Sequence, residues 1–159
     1  AVVLQPEEIL YPTILPALPA PRLRAYPREA TIAEKFEAMV KLDTRNSRMK
    51  DFYDVWSLAT HFSFEGPTLA KAIAETFESR GTPLSLHPTA FSDAFAQDGE
   101  KQAQWEAFRR RLDGEDVPVE LQQAIQVIAA FLYPVTQALV DGQDFQHRWE
   151  PGHRWLPQR

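Results

Sequence analysis

The sequence predicts a mainly α-helical protein: a bundle of about five helices behind an extended, proline-rich N-terminal leader with room for one or two short strands. Three observations carry that prediction. Six of the thirteen prolines fall within residues 1–28. After Arg28 the apolar residues recur at helical rather than strand spacing. Glycines and prolines then stand where helices begin and end, as at Gly66-Pro67 and Gly81.

In the leader, Pro6, Pro12, Pro16, Pro19, Pro21 and Pro27 remove backbone donors and push each preceding residue out of helical conformation. Residues 2–4 and 9–15 read as short edge strands or as a strap laid over another surface. From residue 29, Thr31 and Glu34 fit a capping box, and Ile32, Phe36, Met39 and Val40 form the stripe of a first helix over 29–42. Asp43-Thr44-Arg45-Asn46 is a polar break. Asn46 or Ser47 then caps a second helix over 47–61, with Phe52, Val55, Trp56, Ala59 and Phe62 inward. Gly66-Pro67 opens a third helix, with Leu69, Ile73, Ala74 and Phe77 inward, and Gly81 closes it. Ser92 caps a fourth stretch to about Leu112, bent near Gly99. Val117-Pro118 starts a fifth helix over 119–140, which Pro134 should kink. The tail, 141–159, has no clear period. Its Phe145, Trp149 and Trp155 are costly to leave in water, so it should fold back onto the bundle.

The domain reading is therefore a leader over 1–28, a helical domain over 29–140 and a packed tail over 141–159. A chain of 159 residues with 44% apolar and 25% charged residues can build a hydrophobic core. Its formal net charge of -5 argues against a broad nucleic-acid-binding face. No apolar run approaches the ~20 residues that span a bilayer, so no membrane role is expected. The absence of cysteine excludes disulfides, thiolate metal sites and cysteine nucleophiles, and makes a reducing cytoplasm the expected location. Ala1-Val2-Val3-Leu4 has neither an initiating methionine nor the features of a signal peptide, and reads as a chain taken up partway through a longer one.

The chemistry-bearing residues crowd into the first two helices. At about 100° per residue, Lys35 lies at the edge of the first apolar stripe. On the second helix Arg48 falls within the stripe, Asp51 sits at its edge, and Asp54 lies further round near Lys50. Charges brought to the margin of a shared core need partners. The plain reading is a structural ion pair of Lys35 or Arg48 with Asp51, and a surface pair of Lys50 with Asp54.

Ala33-Glu34-Lys35-Phe36, followed by Asn46-Ser47-Arg48-Met49-Lys50-Asp51-Phe52-Tyr53-Asp54, resembles the third and fourth motifs of the AbiEii-like nucleotidyltransferase toxins. Tyr11-Pro12-Thr13 and Tyr26-Pro27-Arg28-Glu29 resemble that family's approach to these motifs. The resemblance implies a metal-dependent nucleotidyltransferase of the abortive-infection, toxin–antitoxin type. It would use magnesium and a nucleoside triphosphate, with RNA as an acceptor and a cognate antitoxin as a partner. Carried over residue by residue, Lys35 and Asp51 are the catalytic pair, and Arg48, Lys50 and Asp54 bind substrate. Whether Asp51 or Asp54 faces the site stays open, with the stripe favouring Asp51.

The family's phosphate-binding Gly-Ser turn and Asp-x-Asp metal pair have no counterpart before Lys35, since the first glycine is Gly66 and no Asp-x-Asp or Glu-x-Asp precedes Lys35. The expectation is thus a C-terminal helical domain that holds no metal by itself and is inactive without an N-terminal nucleotidyltransferase core. The rival is a non-catalytic helical module that binds a protein partner or RNA. Three other features carry little. His61, His87, His147 and His153 are scattered; Arg109-Arg110-Arg111 more plausibly balances a helix dipole and nearby acids; Ser57, Ser63 and Ser79 lack a nucleophile-elbow context.

Overall fold

Helix α1 runs from Pro27 to Leu42 in a computed structural model that describes residues 27–112 and 116–158. The strands expected in the leader lie outside the described residues. Pro27 occupies the first helical position, where a missing N–H costs nothing, and Glu29 favours the positive end of the dipole. The helix therefore starts two residues earlier than expected. Thr31 lies inside it, so the expected capping box at Thr31 and Glu34 is not the helix start. Ile32, Ala33, Phe36 and Met39 face the core.

A 3-10 turn, Asp43–Arg45, leads to helix α2, Met49–His61. Neither Asn46 nor Ser47 is its N-cap. Arg48 takes that place without a side-chain cap, and Asn46 Oδ1 instead accepts the Arg48 N–H at 2.8 Å. Met49, Asp51, Phe52, Val55, Trp56 and Ala59 are buried. Phe62 is not, because the helix ends before it: its ring is 36% exposed and the Arg28 guanidinium covers it at 3.9 Å. Strand β1, Phe64–Glu65, follows. Helix α3, Gly66–Arg80, has Pro67 in its first turn and closes on Gly81 at φ 68, a left-handed position that favours glycine.

The expected fourth stretch is two helices, α4 (Asp93–Gln97) and α5 (Gly99–Arg110). Asp98 separates them by accepting the N–H groups of Glu100 and Lys101. Helix α6, Leu121–Asp141, begins behind a capping box between Glu120 and Gln123 and carries Pro134 inside it. By length and composition alone Leu121–Val140 is long and apolar enough to cross a membrane, although glutamines interrupt its apolar run. Here Ile125, Ile128, Phe131, Leu132 and Val135 are buried in the core.

The tail is β2 (His147–Glu150) and β3 (Arg154–Pro157), antiparallel to each other, with β1 completing a three-stranded sheet in the order β1-β2-β3. Trp149 enters the core and donates Nε1–H to the Ala59 carbonyl at 2.7 Å. Trp155 stacks on Phe131 and donates to its carbonyl at 2.9 Å. The fold is mainly helical, with α1 packed on α3 and α2, and α2 packed on α6.

Candidate functional site

Lys35 leaves the middle of α1 beside Phe36 and Met39, whose burial fixes the helix rotation and so the direction of its stem. Across the α1–α2 interface its Nζ donates to Asp51 Oδ1 at 2.9 Å and reaches Asp54 Oδ2 at 3.1 Å. Asp54 Oδ2 also receives Lys50 Nζ at 2.8 Å. Arg48 Nε stands 3.0 Å from Asp51 Oδ2. All five charged residues singled out from the sequence therefore form one cluster, in which three cations surround two carboxylates.

Two placements correct the helical-wheel reading. Arg48 does not lie in the buried stripe. It precedes the first residue of α2, where the wheel no longer applies, and its side chain is 58% exposed. Asp54 is not confined to an outer-face pair with Lys50, because the long Lys35 stem reaches it from the neighbouring helix.

Asp51 is the buried member, its side chain only 5% exposed. It sits in the first turn of α2, where the helix dipole favours a negative charge. The Arg48 contact to Oδ2 is short, but its N–H is not aligned for a hydrogen bond, and that buried oxygen is left without one. The Arg48–Asp51 contact is therefore coulombic, whereas Lys35–Asp51 is a charge-assisted hydrogen bond. Burial pulls the Lys35 ammonium pKa down. The hydrogen bonds and charges of Asp51 and Asp54 outweigh that and leave it above the ordinary 10.5. Lys35 is thus held as a cation.

The donor set does not fit a divalent metal. Among the described residues no group of three or more His, Cys, Asp or Glu is placed to hold one. Asp51 and Asp54 are already turned toward ammonium and guanidinium groups. The cluster suits an anion better: the Arg48 and Lys50 side chains are 58% and 72% exposed to solvent, while Lys35 is anchored between the two carboxylates.

Sequence reasoning missed two supporting residues. Asn46 is fully buried, and its carbonyl accepts Lys101 Nζ from α5 at 2.7 Å. Asn46 stood out only as a cap candidate. Lys101 carries no local signal, since it lies 55 residues away in sequence. The weaker candidates stay apart from the cluster. His61 bonds the Ser57 carbonyl, His153 contacts Thr60, and Arg109 and Arg110 pair with Glu106. A depression of about 530 Å³ beside the tail sheet is lined by Arg148, Glu150, Leu156, Pro157 and Gln158, none of them in the cluster.

A family model described as nucleotidyl transferase AbiEii toxin, type IV toxin–antitoxin system, matches residues 1–132, a span that includes all five cluster residues. No curated protein and no solved structure matches the chain.

Proposed function

We propose, since the chain belongs to the AbiEii nucleotidyltransferase toxin family of type IV toxin–antitoxin systems, that its helical domain forms one wall of the nucleotidyl-transfer cleft. Lys35 and Asp51 are the working pair in this reading. The observation that carries it is the convergence of both motifs on one ammonium group, with Lys35 Nζ 2.9 Å from Asp51 and 3.1 Å from Asp54. Family membership brings a nucleoside triphosphate as substrate, a divalent metal in the complete site and an antitoxin as partner.

Phosphoryl and nucleotidyl transfer build negative charge on the non-bridging oxygens, and catalysis rests on positioning and on fixed positive charge aimed there. Lys35 supplies that charge, aimed by Asp51 and kept protonated at neutral pH. Asp51 acts through Lys35; its second oxygen draws Arg48 to the same edge. Arg48 and Lys50 exchange their carboxylate contacts for phosphate oxygens when the triphosphate arrives. Metal carboxylates come from outside this helical domain, and the chain by itself transfers nothing.

The test is transfer of label from nucleoside triphosphates to RNA with magnesium. It uses a protein in which this domain stands behind a Gly-Ser turn and an Asp-x-Asp pair. Lys35→Ala and Asp51→Ala should abolish transfer with the fold intact, and Asp54→Ala should cost less. Undiminished transfer by Lys35→Ala would return Lys35 to a purely structural role. Robust transfer by the present chain alone would overturn the account of it as a partial site. The rival, a non-catalytic module binding a protein or RNA, draws support from the mutual pairing of every charge in the cluster.

A further inference from the structure

We propose that Lys101 on α5 is a positioning residue for the charge cluster: it holds the α1–α2 loop by the Asn46 carbonyl, and Asn46 sets the start of α2 from which Arg48 and Asp51 reach Lys35. The functional consequence rests on reading that cluster as a phosphate site, but the structural link does not.

The loop's own residues hold it only in part, with the Asn46 N–H donating to the Asp43 carbonyl at 3.1 Å. Asp43 sits at φ 57, in the left-handed region that non-glycine residues adopt at a cost, so the surroundings must hold it there. Asn46 is fully buried, yet its Nδ2 has no partner. An apolar residue would fill that space without leaving an orphan amide. What requires asparagine is Oδ1, which accepts the Arg48 N–H at 2.8 Å just ahead of α2, where no helical carbonyl is available. The Asn46 carbonyl is in turn taken by the Lys101 ammonium at 2.7 Å, a charge-assisted bond to a loop oxygen.

Lys101 is itself well anchored. Its N–H is capped by Asp98 at 3.1 Å, and its ammonium stands 5.2 Å over the Phe95 ring. The neighbouring Gln102 accepts the Leu121 N–H at 3.0 Å, so the first turn of α5 clasps the starts of both α2 and α6. A chain of bonds thus runs from α5 through Asn46 to the backbone of Arg48, and from the Arg48 carbonyl to the Asp51 N–H at 3.0 Å.

The experiment is amide hydrogen exchange by NMR on the full chain for wild type, Lys101→Met and Lys101→Arg, each also titrated with inorganic tripolyphosphate. In Lys101→Met the Arg48 and Asp51 amides should exchange about tenfold faster, the worth of one charge-assisted hydrogen bond, while Phe36 and Met39 in the core of α1 keep their rates. Tripolyphosphate affinity should fall by a similar factor, and Lys101→Arg should restore both. An unchanged Arg48 rate, or one that rises only in step with Phe36 and Met39, overturns the proposal, since Lys101 would then be ordinary packing. If wild type does not respond to tripolyphosphate, the phosphate-site reading falls, and the exchange comparison alone still decides the role of Lys101.

Discussion

Replacing Lys35 by methionine separates the structural worth of the cluster from its chemistry. Methionine keeps most of the apolar stem but removes the bond to Asp51 Oδ1 and the contact to Asp54 Oδ2. Asp51, only 5% exposed, is left with one coulombic contact from Arg48 and no hydrogen bond to its second oxygen. Breaking a fully buried pair costs roughly 3–5 kcal/mol. Here Lys35 is 21% exposed and Asp54 is 20% exposed, so water screens part of the loss and about 2 kcal/mol is expected. Urea unfolding followed by tryptophan fluorescence would read this as a midpoint roughly 1 M lower, for a slope near 2 kcal/mol per molar. Adding Asp51→Asn to Lys35→Met should recover much of that stability, because removing both charges is far less harmful than stranding one. Tripolyphosphate binding should not recover with it. Because the folded pKa of Lys35 is raised, its contribution is fully present below 10.5 and lost as pH rises through the folded value. The deficit of Lys35→Met should therefore shrink only on the alkaline side of 10.5. A loss below ~0.5 kcal/mol, or a double variant less stable than Lys35→Met, would refute the reasoning, since Asp51 would then not depend on Lys35.

Two further outcomes test the surroundings of the site. At Gly66 a Cβ would meet the carbonyl oxygens of Phe145 and His147, each at 2.6 Å, which are backbone atoms that cannot swing away. Gly66→Ala should cost about 2–3 kcal/mol and expose the β1–β2 amides to exchange; unchanged protection there would show that the close approach is relieved easily. Burial raises the Glu29 pKa above 4.5, and its backbone bond and Arg28 offset this only in part. A carboxyl that binds its proton more tightly when folded gives its most favourable contribution below pH 4.5, and loses it as pH rises through the folded value. Glu29→Gln should then melt higher than wild type at neutral pH and lose that advantage toward pH 4.5; an equal gain at both pH values would contradict it.

The sequence by itself determined the helical stripes and the placing of Lys35 and Asp51 at the margins of those stripes. Both follow from the 100° step of a helix and from which face is apolar, and Phe36, Met39, Phe52 and Trp56 are buried where those stripes put them. Four decisions belonged to the tertiary structure alone. Asp54 joins the cluster because a lysine stem spans the gap between helices. Arg48 leaves the stripe because α2 starts one residue after it. The tail forms strands because Phe64–Glu65 offers an edge to His147–Glu150, and a two-residue strand has no period to read in advance. Lys101 reaches Asn46 because α5 docks beside α2. Local periodicity records which side of an element is buried, but not which distant polar group will meet a buried carbonyl, since that pairing exists only once the helices have packed.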